Sequence, residues 1–111
     1  METKGQLTES ELSRLKKQYG RVYEIAVEDE GEQYAAYFRR PDMATLSAMT
    51  KMAKTDEIQA SKVLMENCFV GGADEVKTDT ALFVAAIGQL SKVVGSARAT
   101  LKNVCRSSPS G

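Results

Sequence analysis

From residue 9 to residue 19 the apolar side chains fall at Leu12, Leu15 and Tyr19, a helical spacing. The run is preceded by Thr8-Glu9-Ser10-Glu11. In such a capping box the threonine side chain accepts from the amide three residues on, and the glutamate accepts from the threonine amide. Leu7 stands where it can staple onto Leu12, and Gly20 follows as a left-handed cap. The pattern predicts a helix over 9–19. The period then becomes two. Tyr23, Ile25 and Val27 share one face, and Tyr34, Ala36 and Phe38 share another. The polar, glycine-containing Asp29-Glu30-Gly31-Glu32 between them predicts a β-hairpin loop.

After Pro41 the helical period returns. Met43, Leu46, Met49 and Ala53 follow one another at gaps of three and four, with Met52 beside them. Thr55-Asp56 stops and restarts the helix, since either residue can cap a new one. Ile58, Ser61, Leu64, Met65, Cys68 and Phe69 form the next apolar face, which Gly71-Gly72 ends. From a cap at Thr78 or Asp79, Phe83, Ile87, Leu90, Val94, Ala97, Leu101 and Val104 keep a heptad seam. A helix over 79–105 would be about 40 Å long at 1.5 Å per residue, more than the body of a small domain needs. The expected class is therefore α+β: an N-terminal helix, a two-stranded β-hairpin, then a helical C-terminal part with a long last helix. One domain over 1–105 and a disordered tail over 106–111 are expected. A lone hairpin is marginal and must lie on helices or on another chain.

Composition narrows the function. The chain has 111 residues, 42% of them hydrophobic and 27% charged, which suits a soluble globular domain. Fifteen basic groups balance fifteen acidic ones, which argues against a nucleic-acid partner for the molecule as a whole. The charge is uneven: residues 79–111 carry four basic groups and one acidic. No apolar run approaches a membrane span, and no apolar stretch follows Met1-Glu2-Thr3-Lys4-Gly5, so neither a membrane partner nor a signal peptide is expected. Histidine is absent, which removes histidine acid/base chemistry and most zinc sites. Cys68 and Cys105 lie outside any metal-ligand spacing and read as reduced thiols of a cytoplasmic protein. Asp74 and Glu75 lack a third carboxylate at ligand spacing and read as a solvated loop. No phosphate-cradling glycine loop is present. The chain is expected not to be an enzyme and to need no cofactor or metal.

What remains is recognition of protein. Glu28, Asp29, Glu30 and Glu32 form an acidic hairpin tip, read as a solvated loop that discourages edge pairing, with a partner-binding tip as the alternative. Arg39, Arg40, Lys51 and Lys54 form at most a small basic patch. Met43, Leu46, Met49, Met52 and Met65 read either as core or as an adaptable groove, because thioethers repack around varied anchors. The seam from Phe83 to Val104 reads as a self-association surface, so a homo-oligomer is expected.

The run Tyr37-Phe38-Arg39-Arg40-Pro41-Asp42-Met43-Ala44-Thr45-Leu46 resembles the strand, arginine-proline, helix segment of tailed-phage and prophage tail assembly chaperones. The stretch Asp56-Glu57-Ile58-Gln59-Ala60 through Asn67-Cys68-Phe69 is similar to their next helix, and an acidic loop and a long last helix follow. The likeness covers residues 20–105. It implies a small, mostly helical protein of the bacterial host cytoplasm that coats the apolar helices of a tape-measure protein and is absent from the finished tail. A structural tail or connector component is the alternative, and a small DNA-binding regulator ranks last.

Overall fold

The structure, a computed structural model, describes residues 2–94 and 99–102. The elements run β1 (Thr3–Lys4), α1 (Glu9–Tyr19), β2 (Val22–Asp29), β3 (Glu32–Arg39), α2 (Met43–Ala53), α3 (Glu57–Cys68), β4 (Phe69–Gly72), α4 (Glu75–Thr78) and α5 (Thr80–Val94). The class is α+β, with the expected N-terminal helix, hairpin and long last helix. The capping box at Thr8 is complete: the Glu11 amide donates to Thr8 Oγ1 at 3.2 Å and the Thr8 amide donates to Glu11 Oε1 at 3.0 Å. The hairpin loop is only two residues long. Glu30 and Gly31 both have positive φ, 50° and 79°, the backbone of a type I′ turn, whose twist matches that of the strands.

The hairpin is the centre of a larger sheet. Strand β3 pairs with β2 along one edge and with both β1 and β4 along the other. The sequence pattern predicts a third helix that runs through Phe69 and ends at Gly71-Gly72. The helix stops at Cys68, and Phe69–Gly72 is strand β4, with Ala36 opposite Gly72 and Phe38 opposite Phe69. A register shift between Tyr37 and Phe38 leaves Val70 as the extra residue of a bulge.

Cross-strand register puts Tyr23, Ile25, Val27, Tyr34, Ala36 and Phe38 on one face. That face carries the core, in which Ile25, Val27, Ala36 and Phe38 meet Leu64, Met65 and Cys68 of α3, Val76 of α4, and Leu82, Ala86 and Leu90 of α5. On the opposite face Tyr37 is buried, and its hydroxyl accepts from the Leu7 amide at 3.3 Å beside α1. Burial pushes the Tyr37 phenol up from its ordinary value. The architecture is thus three layers, with the sheet between α1 and the α3–α5 layer.

A small polar clamp holds β1 to the sheet. Lys4 Nζ lies 2.6 Å from Glu32 Oε2, and the Tyr34 hydroxyl donates to the same oxygen at 3.0 Å. These hydrogen bonds, Lys4 first, hold the Glu32 carboxyl below its ordinary value of 4.5, while Glu32 raises the Lys4 ammonium. A depressed carboxylate contributes stability that is present above its unfolded value and is lost as pH falls through the folded one. Hydrogen exchange should therefore show the Thr3 and Lys4 amides losing protection as pH drops below 4.5, while amides in the middle of β3 stay protected. Equal loss along both strands would contradict a local clamp.

Candidate functional site

Among the described residues two helical surfaces carry apolar grooves, and they differ in charge. The first is the outer face of α2. Asp42 caps this helix, its side chain accepting from the Thr45 amide at 2.8 Å. Backbone hydrogen bonds to the cap hold the Asp42 carboxyl below its ordinary value. Only Thr45 of α2 is buried, so the helix gives the core little. Met43 is 78% exposed. It lines a groove of about 430 Å³ with Leu46, Ser47, Thr50, Lys51 and Lys54. The groove wall holds two ammonium groups and no carboxylate.

The five residues read from the sequence as a client groove therefore divide. Met43 and Leu46 line the α2 groove. Met52 is exposed but does not line it, and Met49 turns half-buried toward the core. Met65 is a correction: it is 1% exposed and sits in the core between Leu64 and Cys68, so it faces no groove. The α3 helix must present one side to the sheet, and residues 60, 64, 65 and 68 are that side.

The second surface is a groove of about 570 Å³ between α3 and α5, lined among others by Glu57, Ile58, Ser61, Lys62, Phe83, Val84 and Ile87. It contains the first two members of the predicted self-association seam. Phe83 and Ile87 are half-buried there. Leu90, the third, is fully buried in the core instead. The seam is corrected in its phase, because the buried line of α5 is Leu82, Ala86 and Leu90. The apolar face is wider than a heptad seam, and small Ala86 lets the helix axis approach the sheet. Val94 ends α5 and is partly exposed. The expected helix over 79–105 does not form throughout: residues 99–102 are not helical, and Leu101 is 98% exposed. Ala97, Val104, Cys105 and the tail over 106–111 lie outside the described residues.

Other candidate chemistry disperses. Arg39 pairs with Asp42 at 3.7 Å, and Arg40 donates to the Tyr23 hydroxyl at 3.0 Å, so the arginines are not held as one patch with Lys51 and Lys54. Asp74 pairs with Lys77 at 3.5 Å. Among the described residues no three His, Cys, Asp or Glu side chains come together as metal ligands. Cys68 is buried, and burial pushes its thiol up, away from the thiolate that nucleophilic chemistry requires. Among the described residues no helix is long and apolar enough to cross a membrane.

The chain belongs to the family described as a domain of unknown function, DUF6848, whose model matches residues 15–102. That span takes in both open surfaces. The chain is also similar to a solved structure, the uncharacterised protein RBSTP2171 from Bacillus stearothermophilus. The two are 30% identical, the alignment covers 83% of this chain and 99% of that one, and the TM-score is 0.59. No curated protein matches the chain.

Proposed function

We propose that the chain is an assembly chaperone of the phage-tail kind, which works in the host cytoplasm and holds an apolar helix of a tape-measure-like protein against α2. The observation that carries the reading is Met43, a large flexible side chain left exposed beside Leu46 in a groove edged by Lys51 and Lys54. Helix-in-groove recognition needs apolar anchors at helical spacing. Thioethers tolerate anchors of varied shape, which a long repetitive client presents. Because the groove edge is of one sign, it favours a client helix whose flanks carry Asp or Glu over another copy of itself. The likeness of residues 37–46 and 56–69 to tail assembly chaperones supports the reading, and the passage from β3 through Arg39-Arg40-Pro41 into α2 has the element order that the likeness implies.

Co-expression with the tape-measure-like protein of the same gene cluster tests it. Met43→Asp should melt like the parent, since the side chain touches little of the core. It should weaken capture of the client about 30-fold, the loss of a hot spot worth about 2 kcal/mol. A Met43→Asp chain that keeps the client as soluble as the parent does would remove the proposal.

A further inference from the structure

Strand β2 has one neighbour. Among the described residues it pairs with β3 and with no other strand, so its second edge is open. The two-residue turn fixes which backbone groups face that edge. Asp29 and Glu32 flank the turn as a hydrogen-bonded pair, and alternation then turns Tyr23, Ile25 and Val27 toward β3 as well. The amides and carbonyls of Val22, Glu24, Ala26 and Glu28 point the other way. Among the described residues they have no other backbone partner. An open edge of this length is a template for another strand.

The side chains along the edge select the strand. Glu24, Ala26 and Glu28 are exposed on one face, while Ile25 and Val27 are buried on the other. Neither Glu24 nor Glu28 enters an ion pair among the described residues. A second β2 strand is a poor occupant, because it would add carboxylates to the same face. It would also crowd two α5 helices together, since α5 packs over β2. The edge calls instead for an extended segment with cations four residues apart, because such residues share one face of a strand. This chain holds one. Residues 95–111 carry three basic groups and no acidic one, and Arg98, Lys102 and Arg106 recur at the spacing of Glu24 and Glu28. Residues 99–102 are not helical, and Leu101 is 98% exposed, off its own sheet. With Lys102 on the glutamate face of an added strand, Leu101 falls on the face of Ile25 and Val27.

We propose that the open edge of β2 takes, as an added strand, the C-terminal segment around Leu101 and Lys102 of a second copy. Its backbone pairs with Val22, Glu24, Ala26 and Glu28, and its cations lie over the two glutamates. Donor and acceptor are different surfaces of one chain, so the contact is head-to-tail and adds copies beyond a dimer.

Sedimentation of the full chain across micromolar concentrations tests it. The parent should assemble further as concentration rises. Ala26→Pro removes an edge N–H and leaves the bonds to β3 in place, as proline does on an edge strand. Glu28→Lys reverses an edge charge at an exposed side chain. Leu101→Asp/Lys102→Glu disables the donor segment. Each should move assembly to concentrations about tenfold higher or more, the worth of one or two ladder hydrogen bonds. If Ala26→Pro melts lower than the parent, Glu28→Lys decides. An edge variant keeps its donor segment and the segment variant keeps its edge, so their mixture should form one-to-one pairs that grow no further. A parent that stays monomeric overturns the proposal, and protection of its Ala26 amide from exchange would then mean that the segment lies on its own edge. Variants that assemble like the parent, or a mixture that stays monomeric, overturn it as well. No residue of the α2 groove takes part, so each of these failures leaves the client reading standing.

Discussion

Gly72→Ala is expected to destabilise the fold by about 3 kcal/mol or more, the sum of a strained backbone and a steric conflict that has no relief. Gly72 has φ of +105°, in the region that L side chains rarely adopt. A Cβ there would stand 2.5 Å from the Ala35 carbonyl oxygen and 2.7 Å from Ala36 Cα. Both are backbone atoms of the central strand, and Ala35 and Ala36 are fully buried. No side chain can rotate away. The same carbonyl accepts from the Ala73 amide at 2.9 Å, so moving it loses a hydrogen bond that closes the edge of β3. Gly5 approaches the same carbonyl from the β1 side, also with positive φ. Gly71 supplies the control. It has no positive φ, and its Cβ would meet side-chain atoms and no backbone, Leu7 Cδ1 at 3.1 Å and Leu15 Cδ1 at an ordinary 3.6 Å. Gly71→Ala should therefore cost under about 1 kcal/mol. Urea unfolding of the two variants compares them directly, and similar midpoints would refute the argument from close approach.

That pair of glycines marks where the sequence stops being readable. Signals complete within a few residues were legible. The Thr8–Glu11 box carries its own partner, and the alternation at Tyr23, Ile25 and Val27 states which side faces the core. Asp56 and Asp79 announce the starts of α3 and α5 by the same local chemistry. Strands β1 and β4 were not legible, being two and four residues long, too short to show alternation. They exist because β3 offers an edge that distant residues can reach. Gly71-Gly72 reads as a helix stop in isolation, since glycine ends helices. Only the nearness of Ala35 shows that it is needed for a strand to approach. The phase of α5 failed for a related reason. Its apolar residues fit a heptad seam and a broader helical face equally well, and packing on strand β2 decides for Leu82, Ala86 and Leu90.

The methionines separate by the same criterion, and Met65→Ala is expected to show it most clearly. Met65 is among the largest fully buried side chains of the chain, in the cluster that joins Leu64 and Cys68 to Phe38, Leu82 and Leu90. An unbranched thioether fills the irregular space where a helix meets a bulged sheet. Removing it takes away transfer energy and leaves a cavity, a cost of about 2–5 kcal/mol. For a domain of this size such a loss lowers the melting temperature by about 10 °C or more. Met43→Ala should leave the melting temperature within a degree or two, because surface truncations stay within about 0.5 kcal/mol. Met49 packs half-buried against the same core, and Met49→Ala should fall between the two. Thermal unfolding followed by circular dichroism measures all three under one condition. If Met43→Ala melts as low as Met65→Ala, the outer face of α2 is holding the fold together and is not a free surface for a client. If the order Met65, Met49, Met43 holds and only the Met43 variant loses the client, stability and recognition reside in different methionines of the two adjoining helices α2 and α3.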